Sequence, residues 1–253
     1  MVIESTRNET VKRARALAQR KGRLEQGVHF IEGEKLVREA VVSGAQFVDA
    51  FIEDGHDLMA AVLSGSGANV YTVRRSVMES LTQTGTPQWV CATVKTPEQP
   101  IPEYYPAGLI VALDCVQDPG NLGTILRTAD AMGACGLLLG EGCADPYAPK
   151  PLRAAMGSIY HIPVWQGNLE NEVARLAAQG FTLVCGHLKG ADVVPEPGEK
   201  CVLVIGNEGN GVSDAIAAQC QTYRLPMYGF AESLNASVAA GILIYELARK
   251  MRG

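Results

Sequence analysis

The stretch Leu109-Ile110-Val111-Ala112-Leu113-Asp114-Cys115-Val116-Gln117-Asp118-Pro119-Gly120-Asn121-Leu122-Gly123-Thr124-Ile125-Leu126-Arg127-Thr128-Ala129 changes its hydrophobic period halfway along. Five consecutive apolar residues leave no face for water, which suits a strand covered on both sides. A Pro-Gly-Asn turn follows, and from Asn121 the apolar positions recur at helical spacing, predicting a helix over 121–132. Further apolar runs at Leu137–Leu139, Phe181–Cys185 and Val202–Ile205 alternate with helical patterns. Buried strands interleaved with helices specify an α/β domain on a parallel sheet.

Upstream, Thr96-Pro97-Glu98-Gln99-Pro100-Ile101-Pro102-Glu103-Tyr104-Tyr105-Pro106 holds four prolines. Each removes a backbone donor and fixes an extended φ, so neither a helix nor an inner strand runs through. Before it, helices are expected over 8–21, 34–43, 57–64 and 74–81. Extended segments are expected at His29–Ile31, Phe47–Ile52, Val70–Val73 and Trp89–Val94. The expected organisation is a small α/β domain over 1–96, a linker over 97–107 and the parallel-sheet domain over 108–253.

The chain has 253 residues, 47% of them hydrophobic, and a net charge of −5. That balance argues against coating nucleic acid by bulk attraction, although a local basic patch remains open. The segment 7–23 is such a patch, with Arg7, Lys12, Arg13, Arg15, Arg20, Lys21 and Arg23 against Glu9 alone. It suits contact with phosphates, and equally a solvated helix face. Seven cysteines without a C-x-x-C pair read as reduced core residues, and four dispersed histidines fit no zinc spacing, so no metal is expected. The first residues lack a signal-peptide layout, and no apolar run reaches the ~18 residues of a membrane span. A soluble, cytoplasmic protein without membrane contact is expected.

Three segments carry candidate chemistry. In the first, Asn121 and Arg127 are six residues apart, almost two helical turns, and are expected on roughly the same side. An inward arginine on a small, apolar helix needs a polar or anionic partner. Spacing alone equally allows Asn121 as a helix cap and Arg127 in a structural ion pair. The second, Val204-Ile205-Gly206-Asn207-Glu208-Gly209-Asn210-Gly211-Val212-Ser213, runs from a strand through a glycine-rich turn to a helix capped by Ser213. Its G-x-x-G-x-G spacing is not the dinucleotide fingerprint and lacks the Walker lysine. Because Glu208 would repel phosphate, a cationic ligand such as a sulfonium fits better. In the third, Leu225-Pro226-Met227-Tyr228-Gly229-Phe230-Ala231-Glu232-Ser233-Leu234-Asn235-Ala236-Ser237-Val238-Ala239-Ala240, a polar turn opens the last helix. Ser233 could serve simply as the cap, but three polar residues at one turn exceed what capping requires. The small residues Ala236, Ala239, Ala240 and Gly241 permit close helix contact, which a dimer interface could use.

Taken in order, Asn-x5-Arg, Gly-Asn-Glu-Gly-x-Gly and Pro-Met-x-Gly-x4-Leu-Asn-x-Ser-Val-Ala resemble the three motifs of the SpoU branch of the SPOUT RNA ribose 2′-O-methyltransferases. The resemblance spans nearly all of 108–250. Residues 7–94, through Phe30-Ile31-Glu32-Gly33-Glu34-Lys35-Leu36-Val37, resemble the small substrate-binding domain of many members. Two departures stand out: Ala236 replaces the usual valine, and Gln88-Trp89 stands where relatives commonly have glycine.

The resemblance implies a C-terminal trefoil knot, which general topology rules would disfavour, a homodimer, and bound S-adenosylmethionine as cofactor. It implies Arg127 as the residue acting on the ribose 2′-hydroxyl, with Asn121, Glu208, Ser233 and Asn235 supporting the site. Groups around Gly206, Gly209, Leu225, Met227 and Leu234 would hold the cofactor. Because an arginine stays protonated, stabilising a developing alkoxide suits it better than a base role. The expected substrate is RNA, ribosomal RNA rather than transfer RNA on the strength of the N-terminal domain. A tRNA ribose methyltransferase and a catalytically silent RNA-binding relative are the alternatives.

Overall fold

The computed structural model describes residues 2–82 and 86–253. Its contacts divide the chain into two compact units: 1–98 with 145–160, and 99–144 with 161–253.

The first unit runs β1 (Val2–Ile3), α1 (Glu9–Ala16), α2 (Arg20–Gln26), β2 (Val28–Glu32), α3 (Glu34–Val42), β3 (Phe47–Glu53), α4 (Asp57–Gly65), β4 (Asn69–Val73), α5 (Arg75–Leu81) and β5 (Val90–Lys95). The sheet order is β1-β4-β3-β5-β2. β4 lies parallel to β1 and β3, while β5 is antiparallel to β3 and β2. Val11, Leu17, Phe51, Val77 and Met78 form its centre and are inaccessible to solvent.

The one helix expected over 8–21 is two. Gln19 is extended, and α2 turns back so closely that a Cβ at Gly22 would lie 2.2 Å from the Ala16 carbonyl oxygen. Arg23 stabilises the break. Its Nη1 donates to the carbonyls of Leu17 (2.6 Å) and Ala18 (3.2 Å), the orphan acceptors of a terminated helix. Its Nε and Nη2 donate to Asp145 at 3.1 and 2.7 Å. Arg23 is 7% exposed, so it leaves the basic patch; its charge is spent inside the fold. Arg7, Arg15 and Arg20 remain exposed.

The rest of the chain runs β6 (Gly108–Leu113), α6 (Pro119–Ala131), β7 (Gly136–Leu139), α7 (Pro149–Ala155), β8 (Val164–Gln166), α8 (Leu169–Ala178), β9 (Thr182–Ala191), β10 (Lys200–Ile205), α9 (Asp214–Ala217), β11 (Gln221–Tyr223) and α10 (Ala236–Arg252). The segment carrying α7 belongs to the first unit. There the fully buried His29 meets the Tyr160 hydroxyl at 2.8 Å and Thr96 Oγ1 at 3.2 Å, with the Tyr147 ring 5.0 Å away. Burial lowers the His29 pKa to about 3, so the imidazole is neutral.

The second unit is a six-stranded sheet, order β11-β9-β10-β6-β7-β8, with every pairing parallel. Ile110, Ala112, Val202 and Val204 point into one core with Trp165, Val173, Leu176 and Phe181. α10 follows the edge strand β11 yet packs against α6 and the inner strands β6 and β10. Its small face makes that contact: Ala240 is buried and Gly241 faces Thr128 of α6, where an added Cβ would sit 3.8 Å from its methyl. Among the described residues, no helix is long and apolar enough to cross a membrane.

Candidate active site

The strand β6 ends in a polar turn that sets up α6. Asp118 is its N-cap, accepting the Asn121 amide N–H at 2.8 Å, and Pro119 occupies the first turn, where its missing N–H costs nothing. The helix therefore starts at Pro119, ahead of the expected Asn121, and Asn121 is not the cap. Its side chain, in a residue 8% exposed, is free to bond elsewhere. Asn121 Nδ2 donates to Glu208 Oε1 at 2.8 Å, and Asn121 Oδ1 accepts from Asn235 Nδ2 at 3.0 Å. Three segments distant in sequence thus meet through one carboxamide.

The glycine-rich loop is held by its own residues. Asn207 and Gly211 exchange both backbone bonds (3.0 and 2.9 Å), and Asn207 Oδ1 accepts from the amides of Gly209 (2.8 Å) and Asn210 (3.3 Å). Asn207 Nδ2 donates to the Cys115 carbonyl at 2.9 Å, and Asp114 Oδ2 accepts from Ser213 N–H at 2.7 Å. Ser213 stands at the N-cap position of α9 without making the side-chain bond expected of it. Gly206 is required by the loop itself: a Cβ there would lie 2.0 Å from the Gly211 carbonyl carbon. The close approach read from the sequence is loop against loop.

Asn235, not Ser233, caps α10. Its Oδ1 accepts from the amides of Ser237 (2.9 Å) and Val238 (3.4 Å) and from Ser237 Oγ (2.7 Å). Among the described residues, Asn121, Glu208 and Asn235 form one hydrogen-bonded chain that neither Ser233 nor Arg127 enters. Arg127 is exposed on α6, against the expectation of an inward side chain. Six residues advance a helix by about 240°, so Asn121 and Arg127 face different sides.

The loop leading to Asn235 borders a cavity of about 460 Å³ lined by Leu188, Asp192, Arg224, Leu225, Pro226, Met227, Tyr228 and Glu232. Of the five expected cofactor contacts, Leu225 and Met227 lie on it, while Gly206, Gly209 and the half-buried Leu234 are not part of its wall. Arg224 forms a two-pronged pair with Asp192, 2.7 Å at each prong, which lowers the pKa of that carboxyl. Among the described residues, no group of three His, Cys, Asp or Glu side chains could hold a metal ion.

Three positioning residues, Asp114, Asp118 and Asn207, escaped the sequence reading. Asp118 was detectable, since Asp before Pro-Gly is a helix-start signature. Asn207 Nδ2 and Asp114 bind groups 92 and 99 residues away, so no local pattern marks those contacts.

Residues 108–245 match the SpoU rRNA Methylase family, and residues 8–92 match the MRM3-like substrate binding domain. The chain is 38% identical over 248 residues to the 23S rRNA (guanosine(2553)-2′-O)-methyltransferase RlmP of Bacillus subtilis, covering 97% of this chain and 98% of that protein. The fold is similar to the AdoMet-bound rRNA methyltransferase of Sinorhizobium meliloti, with a TM-score of 0.91 and 35% identity over 98% of this chain and 97% of that one. It is also similar to the SpoU methyltransferase AviRb of Streptomyces viridochromogenes in complex with AdoMet, with a TM-score of 0.83 and 28% identity, covering 98% of this chain and 99% of that one. With its three motif segments meeting at Asn121, the chain belongs to the SpoU rRNA methylase family.

Proposed function

We propose that this protein is an S-adenosylmethionine-dependent methyltransferase that modifies a ribose 2′-hydroxyl of ribosomal RNA in the cytoplasm. The observation that carries this reading is the Asn235–Asn121–Glu208 chain, which joins all three motif segments where the β6 and β10 strand ends meet. The neighbouring cavity fits the cofactor: its volume is that of a small-molecule site, Leu188, Met227 and Tyr228 supply apolar walls, and Glu232 supplies negative charge for a cationic ligand while Asp192 is paired with Arg224. When bound, the sulfonium supplies an activated methyl group. The chain's own residues must bind and align the hydroxyl. Asn121 and Asn235 order the site, while Arg127, exposed and permanently charged, stabilises negative charge from the substrate phosphate and the developing alkoxide.

The exposed position of Arg127 suits a homodimer in which a second copy completes its surroundings. Val238 (51% exposed), Ile242 (39%) and Tyr245 (56%) form an apolar stripe along α10 for that contact. The path of α10, from the edge strand back over β6 and β10, supports a knotted C-terminal segment. We divide the labour so that residues 1–96 select RNA, 97–107 link, and 108–253 catalyse. Ribosomal RNA is favoured over tRNA by the match of residues 8–92 and by the full-length similarity to a 23S rRNA enzyme.

The test is calorimetry with S-adenosylmethionine, followed by transfer of labelled methyl to separated rRNA and tRNA and mapping of the modified ribose. Cofactor binding, with label entering rRNA, is expected. Arg127→Ala should lower transfer by about 100-fold or more with circular dichroism unchanged. No cofactor binding would return the protein to a silent RNA-binding role, and label in tRNA alone would overturn the substrate.

A further inference from the structure

Tyr228 and Phe230 are the most exposed large apolar side chains among the described residues, at 97% and 108% exposure. Leaving two aromatic rings in water forgoes a large burial gain. Neither ring meets another aromatic ring among the described residues. The backbone between them is equally bare, since a Cβ added at Gly229 would have no neighbour within 4 Å. The chain's own packing therefore does not account for these rings.

What flanks them fixes their place. Both stand on the loop between β11 and α10, where Met227, Tyr228 and Glu232 line the cavity of about 460 Å³. Phe230 falls between two residues of that wall without belonging to it. Of the wall's charged residues, Asp192 and Arg224 pair with each other and Glu232 remains. Such a rim repels a phosphate but admits the face of a neutral base. A 2′-hydroxyl is common to all four nucleotides, so its chemistry selects none of them. To react, it must come within about 3–3.5 Å of the methyl carbon. The nucleobase is carried by the adjacent carbon of the same ribose, so transfer brings the base to the rim of the cofactor cavity. Flat aromatic side chains are the groups on which unpaired RNA bases stack.

We propose that Tyr228 and Phe230 form the stacking surface for the nucleobase of the nucleotide whose ribose is methylated. This assignment rests on the methyltransferase reading above and names what its rim receives: an unpaired base, turned out of its helix. Both rings occupy positions that the third motif, Pro-Met-x-Gly-x4-Leu-Asn, leaves open. They therefore shape which RNA this chain accepts without touching the bonds that hold Asn121 to Glu208 and Asn235.

Phe230 is the discriminating position, because it lies outside the cavity wall and its exposure makes truncation harmless to folding. The probe is rRNA transcribed in vitro, which carries no methyl groups. Phe230→Ala should weaken binding of this RNA, measured by filter retention, and lower kcat/KM for it, each by about tenfold or more. The calorimetric affinity for S-adenosylmethionine and the mass from sedimentation equilibrium should match those of the unaltered protein. Phe230→Trp should restore RNA binding, whereas Phe230→Leu, apolar but not flat, should stay as poor as alanine. A smaller loss with alanine, or recovery with leucine, overturns the proposal. So does a lowered mass, which would give the ring to a second copy of the chain. A cofactor affinity weakened about tenfold would make the ring a cover for the cavity and overturns it too. Absence of cofactor binding by the unaltered protein instead overturns the methyltransferase reading, so the two failures are distinguishable.

Discussion

His29 shows how one residue can make stability depend on pH. In the folded chain its pKa is lowered to about 3 by burial, against an ordinary value of 6.5. The folded imidazole is neutral, whereas the unfolded one gains a proton below about pH 6.5. The stability contributed is therefore complete above that pH and is lost as pH falls toward 3. Between pH 7 and pH 5 the loss attributable to His29 is about 2 kcal/mol. His29→Gln should be less stable at pH 7 yet show a correspondingly smaller loss on going to pH 5, measured by urea unfolding. An equal loss in both proteins would remove His29 as the source. Arg23 teaches a related lesson, since a cation grouped by sequence with phosphate contacts serves as an internal helix terminator.

At the scale of elements, the candidate site is made of caps and turns, not of helix or strand interiors. Asp118 and Asn235 end the frayed first turns of α6 and α10, and Asn207 closes the loop between β10 and α9. Because Gly206 touches the Gly211–Val212 backbone, Gly206→Ala must push the loop open. A cost of about 1–3 kcal/mol is expected from such overpacking. A lowered melting temperature together with weakened cofactor binding would confirm that the loop's closure presents Glu208. A variant as stable as the parent would show that the loop yields cheaply.

At the scale of the molecule, α10 has two working faces. Ala240 is buried and Gly241 lies against Thr128 of α6, whereas Val238, Ile242 and Tyr245 remain exposed at spacings of four and three residues. Of the small residues that suggested a dimer contact, Ala240 and Gly241 are taken up by the chain's own packing, and the proposed second copy would cover the large ones. Sedimentation equilibrium should give twice the 26.9 kDa chain mass, and Ile242→Glu should give the single mass with unchanged circular dichroism. A monomeric parent would exclude the dimer and leave Arg127 to act on its own chain's substrate.

The amino-acid sequence by itself determined the alternation of elements and the parallel character of the second sheet. Runs such as Leu109–Leu113 and Val202–Ile205 are apolar on both faces, and burial of a period is a local property. Its three motifs likewise marked three segments that meet at Asn121. Only the tertiary structure decided which side chains meet: Asn121 with Glu208 and Asn235, but not with Arg127 or Ser233. It also separated α1 from α2 and drew the segment 145–160 to the N-terminal unit. A hydrogen bond between residues 87 or 114 positions apart depends on how whole elements stack, and no repeat along the chain encodes that distance in space.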